Sequence, residues 1–121
     1  MKLTQSLEDY LEAILVLQMK KSEVRSVDVA EYLGFAKPSV HRAVKLLKKQ
    51  GYIAVDDIGL LHLTAVGSEV AQRLYERHQF FTDQLTSLGV DKKTAEAEAC
   101  KIEHVVSQES FEKIRQAIKK E

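Results

Sequence analysis

Apolar residues recur at helical spacing along most of the chain, and the breaks in that spacing mark where elements end. Leu7, Leu11, Ile14 and Leu15 open the pattern, Ser6 is placed to cap it, and it lasts to about Lys20. After a polar connection, Ser26 is placed to cap a second helix over 27–33 with Val29, Ala30 and Leu33 inward, and Gly34 stops it. Pro38 falls in the first turn of a third helix, where its missing N–H costs nothing. That helix keeps Val40, Ala43, Val44 and Leu47 on one face to about Gln50, and Gly51 ends it. The spacing then changes. Two short β-like stretches, 52–55 and 60–63, flank Asp56-Asp57-Ile58-Gly59, a hairpin-loop composition that reads as a wing. Thr64 is placed to cap a long fourth helix to about Ser87, with Leu74, His78, Phe81 and Leu85 on one stripe. Asp91 or Thr94 starts a fifth helix. Ser107 begins a sixth, with Phe111, Ile114 and Ile118 as its buried edge. The expected fold is mostly α: a winged helix-turn-helix DNA-binding domain over 1–66, then a helical metal-binding and dimerisation domain over 67–121.

Charge sharpens this picture through its distribution. The chain of 121 residues has 18 basic and 18 acidic side chains and no net charge, which decides nothing about partners. Yet the third helix carries Lys37, His41, Arg42, Lys45, Lys48 and Lys49 with no acid among them. Two helices joined by Gly34-Phe35-Ala36 have helix-turn-helix spacing, and the second then meets the major groove with its N-terminal residues. Arg42 is the best base reader, because a guanidinium pairs bidentately with guanine. Ala36, Pro38 and Ser39 offer apolar or hydroxyl contacts. Lys37, His41, Lys45 and Lys49 suit phosphates, which supply affinity more than sequence choice. The bland alternative is a helical hairpin with a solvated lysine face; the basic run, Pro38 and the wing together favour double-stranded DNA. The single cysteine fits a reducing, cytoplasmic setting. No membrane span or secretory signal is expected, since the opening residues lead into Ser6-Leu7-Glu8-Asp9 rather than an apolar run.

Near the C-terminus, Cys100, Glu103 and His104 stand at i, i+3 and i+4, with Glu96 one turn earlier. A helix turns 100° per residue, so these four share one narrow face. A thiol, two carboxylates and an imidazole make a poor core and a good divalent-metal site. Taken singly, each has a plainer reading: Cys100 as a small buried apolar residue, His78 as a hydrogen-bonded core histidine, Asp9 and Glu12 as solvated charge. Hard carboxylates suit Mn²⁺ or Fe²⁺, whereas a thiolate pulls toward Fe²⁺, Co²⁺ or Zn²⁺. Cys100 must lose its proton to ligate, so binding weakens in acid.

Several stretches resemble the diphtheria toxin repressor and manganese transport regulator family of metal-activated repressors, over essentially the whole length. They are Ser6-Leu7-Glu8-Asp9-Tyr10-Leu11-Glu12, Pro38-Ser39-Val40, Leu63-Thr64-Ala65-Val66-Gly67, Arg77-His78 and, most specific, Glu98-Ala99-Cys100-Lys101-Ile102-Glu103-His104-Val105-Val106-Ser107. The resemblance implies a winged-helix domain followed by a helical dimerisation domain, with metal bound between them. It places Asp9, Glu12, His78, Glu103 and His104 at ligand positions of the manganese-type members. Cys100 stands where that branch has a bridging glutamate and follows the iron-type branch. Asp9 and Glu12 do not match the iron-type pattern, which also has a histidine at Glu96 and a carboxylate at Thr82. The resemblance thus implies a hybrid of the two branches, in the short form expected without the SH3-like domain of longer members.

The expected function is a metal-dependent repressor that binds operators of metal-homeostasis genes as a homodimer, activated by Mn²⁺ or Fe²⁺, with Zn²⁺ or Co²⁺ as competitors. An ion fixing the spacing of two reading heads about one helical turn of DNA apart, ~34 Å, strengthens operator binding. A metal-independent winged-helix regulator is the main rival, and chelation separates the two. A small metallohydrolase is disfavoured, because no glycine-rich phosphate cradle or nucleophile–base pairing is present and no small organic substrate is implied. A metal-buffering protein leaves the basic helix and the wing without a role.

Overall fold

Helix α1 (Gln5–Lys20) is capped by Thr4, whose Oγ1 accepts the Leu7 N–H at 3.2 Å. The cap therefore lies two residues before the expected Ser6, which sits inside the first turn; the apolar stripe alone does not choose between two hydroxyl residues so close together. Leu7, Tyr10, Leu11, Ile14 and Leu17 are buried, the helical spacing read from sequence. The second helix, α2 (Ser26–Leu33), likewise starts one residue off expectation: Arg25 is the cap residue, and Ser26 is already helical. Its orphan N-terminal donor is met by Asp28, whose Oδ2 accepts the Arg25 N–H at 2.8 Å. Gly34 ends α2 in the left-handed conformation, φ +72°. Helix α3 (Lys37–Lys49) follows with Pro38 in its first turn.

Strands β1 (Ile53–Val55) and β2 (Leu61–Leu63) pair antiparallel in the register Ile53↔Leu63, Ala54↔His62, Val55↔Leu61. They are slightly shorter than the β-like stretches in the sequence. Helices α1, α2 and α3 pack on one another, with β2 against α1 and β1 against α3. Leu11, Ile14, Val29 and Leu47 are fully buried, and Leu61 nearly so. On its outer side β2 is tied by the Leu61 N–H to the Val24 carbonyl at 2.8 Å.

Helix α4 (Ala65–Ser87) begins where Thr64 Oγ1 accepts the Gly67 N–H at 3.1 Å and donates to the Gly51 carbonyl at 2.7 Å. A Cβ on Gly67 would lie 1.9 Å from the Tyr52 carbonyl oxygen, so only glycine allows this approach. The structure describes residues 3–119, and the chain divides inside α4 into two compact units, one reaching to Arg73 and one running from Leu74.

The second unit holds the rest of α4, α5 (Lys92–Val105) and α6 (Gln108–Lys119). Asp91 caps α5 through the Thr94 N–H, and Ser107 Oγ accepts the Ser110 N–H at 3.0 Å to start α6. Ala95, Ala99 and Phe111 are buried, the Phe111 ring lying edge-on to Phe80 with centroids 5.4 Å apart. Ile114 and Ile118 are 37% and 36% exposed, so the apolar edge expected for α6 is buried only at Phe111. Six helices and one two-stranded sheet make up the described residues, a mostly α fold. Among them no helix is long and apolar enough to cross a membrane.

Candidate nucleic-acid interface and candidate metal centre

In the first unit, α2, the turn 34–36 and α3 form the helix-turn-helix, with β1 and β2 as its wing. Ala36 is the cap residue of α3 and is exposed, as are Lys37, Pro38, His41, Arg42 and Lys45; Ser39 is half-buried. Val40, Ala43, Val44 and Leu47 turn inward, so burial and charge divide α3 lengthwise. Arg42 Nη2 donates to Ser39 Oγ at 3.4 Å, which draws the guanidinium toward the helix start.

The turn before α3 is also braced from α1. Tyr10 lies edge-on to Phe35 in the turn, centroids 5.8 Å apart. Burial pushes the Tyr10 phenol above its ordinary range, the Arg42 guanidinium pulls it back, and the Asp9 carboxylate adds to the rise.

Two wing features carried no sequence signal. Asp56 Oδ1 accepts the N–H groups of Ile58 and Leu60, at 3.0 and 2.9 Å, while its Oδ2 lies 2.8 Å from His62 Nε2. His62 above all, then the Leu60 and Ile58 amides, hold the Asp56 carboxyl below the usual carboxylate range. Arg25 reaches across to donate to the Ile58 carbonyl. The wing tip is thus held by side chains that answer its backbone groups, and the run of cations belongs to α3.

In the second unit, Glu103 is the centre. Its side chain is fully buried. His78 Nδ1, on α4, lies 2.8 Å from Glu103 Oε1, and His104 Nε2 lies 3.6 Å from Glu103 Oε2. Cys100, one turn before His104, places its Sγ within 4.8 Å of a His104 ring nitrogen, as Glu103 places a carboxylate oxygen. Cys100 is half-buried and a free thiol. Glu96 keeps the expected helical register but is exposed. Thr82, one turn beyond His78, is buried, and its Oγ1 has no hydrogen-bond partner. On α1 of the first unit, Asp9 and Glu12 are half-buried.

A buried carboxylate costs several kcal/mol unless paired or metal-bound, roughly. Glu103 answers that cost with two imidazoles, and a thiol lies within reach. Such a donor set of oxygen, nitrogen and sulfur fits a divalent cation. Arg77 is the residue that sequence spacing missed. Its Nη1 donates to the carbonyls of Glu103 and Val106 at 3.1 and 2.8 Å, and its Nη2 to Gln108 Oε1 at 2.9 Å. Only its adjacency to His78 hinted at a role.

A winged helix-turn-helix followed by a helical unit with a cysteine–glutamate–histidine face able to ligate a cation points to a class, the metal-linked DNA-binding regulators. Residues 2–58 match the iron dependent repressor N-terminal DNA binding domain, and residues 64–120 the iron dependent repressor metal binding and dimerisation domain. The transcriptional regulator MntR of Escherichia coli is 37% identical over 109 residues, 90% of this chain and 70% of that protein. An HTH-type transcriptional regulator of Methanocaldococcus jannaschii is 33% identical over 115 residues, 93% of this chain and 92% of that one. A manganese-dependent transcriptional repressor solved with manganese is 26% identical with TM-score 0.82, covering 92% of this chain but 51% of its own. The chain thus spans about half the length of that solved relative. It belongs to the iron-dependent repressor family of metal-dependent transcriptional regulators. It is a regulator and not an enzyme, and dimers are typical of its family.

Proposed function

We propose that this chain represses metal-homeostasis genes in the cytoplasm, binding double-stranded operator DNA as a homodimer when Mn²⁺ or Fe²⁺ is bound. The observation that carries the reading is Glu103, a fully buried carboxylate with His78 and His104 on its two oxygens and Cys100 one turn away from His104. His78, Cys100, Glu103 and His104 would hold the ion. Asp9 and Glu12 join them in this reading on the strength of the sequence resemblance, and Glu96 on its place one turn before Cys100 on the same helix face. A bound cation would supply positive charge beside the buried Glu103 carboxylate and the half-buried Cys100 thiol. Manganese is supported by the manganese-bound solved repressor. Cys100, in place of a glutamate, tilts the site toward Fe²⁺ and leaves Zn²⁺ and Co²⁺ as competitors.

The residues do separable work. Arg42 reads a base edge, held toward the helix start by Ser39. Ala36, Pro38 and Ser39 approach bases, and Lys37, His41 and Lys45 take phosphates. Residues 1–66 act as the reading domain and 67–121 as the metal-binding and dimerisation domain. The partly exposed Ile114 and Ile118 are candidates for the contact with the second copy.

The test is selection of random-sequence duplex DNA by the purified protein with Mn²⁺, Fe²⁺, Zn²⁺, Co²⁺ or a chelator, with metal content measured alongside. A two-fold symmetric sequence is expected to emerge with Mn²⁺ or Fe²⁺ and to be lost on chelation. The same sequence selected equally well from demetallated protein would overturn metal dependence and favour the metal-independent regulator.

A further inference from the structure

We infer that Arg77 is a positioning residue for the metal ligands, acting through the backbone at the end of α5 and touching no ion itself. The inference rests on the metal-site reading above. Helix α5 ends without a glycine: Val106 leaves it in an extended conformation, φ −80° and ψ 133°. The carbonyls of its last turn therefore need a donor from elsewhere. Arg77 provides it from α4, bonding the Glu103 and Val106 carbonyls with Nη1 and anchoring Nη2 on Gln108 of α6. Its guanidinium also brings positive charge to the negative end of the helix dipole. The Phe111 ring lies beneath it, 5.7 Å from the guanidinium carbon.

Arg77 and His78, neighbours in sequence, hold the same residue at two places. Arg77 takes the main-chain oxygen of Glu103, and His78 takes its carboxylate at 2.8 Å. Helix ends fray, and the last turn of α5 carries both Glu103 and His104. Loss of the clamp lets that turn open and moves both ligands together. Lysine does not replace it, because an ammonium is a point donor and lacks the planar fork that spans two carbonyls and an amide.

Arg115 provides the control. It lies over the same Phe111 ring, 5.0 Å from the centroid, and pairs with Glu76. No bond from it to the α5 carbonyls is among those of the described residues. Mn²⁺ affinity is to be measured by the EPR signal of free Mn²⁺ for the wild type, Arg77→Lys, Arg115→Gln and Gln108→Ala, with circular dichroism and melting of each metal-free protein. Arg77→Lys is expected to weaken Mn²⁺ binding by about 10–100-fold, the usual effect of losing an outer-shell partner. Arg115→Gln should leave Mn²⁺ affinity within a factor of two or so of wild type. DNA binding by Arg77→Lys should return at saturating Mn²⁺. Gln108→Ala, which removes the anchor of Nη2 and, within α6, the Gln108 Nε2 bond to Glu112, leaves the Nη1 bonds in place and should shift the affinity less and in the same direction. Wild-type Mn²⁺ affinity in a folded Arg77→Lys, or equal weakening in Arg115→Gln, overturns the inference. If Arg77→Lys does not fold, an unchanged Gln108→Ala overturns it. A wild type that binds no Mn²⁺, Fe²⁺ or Zn²⁺ defeats the metal-site reading instead, so the two failures are distinct.

Discussion

At the scale of the residue, single atoms decide what neighbouring elements can do. Gly67 is the clearest case, since one methyl group would sit 1.9 Å from the Tyr52 carbonyl. Gly67→Ala is expected to lower stability by about 1–3 kcal/mol although alanine is the better helix former, because backbone must shift to admit the side chain. Urea unfolding checks it, and a stabilised variant would show that α4 is free to move away. Helical spacing gave no reason for this glycine, which reads as a mild helix weakness until the fold brings Tyr52 against it. Cys100, Glu103 and His104 were legible, because their spacing alone puts them on one face. The His78 contact to Glu103 was not, since it depends on how α4 and α5 pack.

At the scale of the element, helix starts were the hardest to read. Thr4 and Ser6 are both hydroxyl residues, and Ser26 is a better cap type than Arg25, yet the chain uses Thr4 and Arg25. At α2 the deciding bond is made by Asp28, three residues on. The Arg25 amide, more than Lys21 at 3.1 Å, keeps the Asp28 carboxyl below its ordinary range. A lowered carboxylate pKa adds stability that is present above the unfolded value and is lost as pH falls through the folded one. Asp28→Asn is therefore expected to cost about 1 kcal/mol at neutral pH, with the difference from wild type closing in acid below about pH 4. Unfolding curves across pH measure it; a gap that widens in acid would reverse the assigned sign. The apolar stripes of α1 and α3 were legible because both faces of the period are satisfied within the first unit. In α6 the same period leaves Ile114 and Ile118 partly exposed, and no single-chain reading distinguishes that from burial.

At the scale of the whole molecule, one neutral chain carries an uneven distribution of chemistry. Cations concentrate on α3, and thiol, carboxylate and imidazole side chains share one face of α5. If metal tightens DNA binding by some factor, DNA must tighten metal binding by the same factor. Titrating Mn²⁺ with and without a selected operator duplex should show that equality, and a metal affinity indifferent to DNA would break the proposed coupling. The order of helix-turn-helix, wing and further helices was legible because the change from helical to alternating spacing and back is abrupt at the wing; the division at Arg73 and Leu74 was not, because helical spacing runs unbroken through it. The inner order of the wing tip was not, because it rests on backbone amides answering Asp56.

The tie between Leu61 and Val24 has a consequence for crowding. A short exposed hairpin is the sort of edge onto which another molecule can add a strand. Here the chain's own loop already occupies that flank at Leu61. A strand offered by a second copy therefore finds the Leu61 amide already taken, and this flank is a poor place for edge-to-edge association.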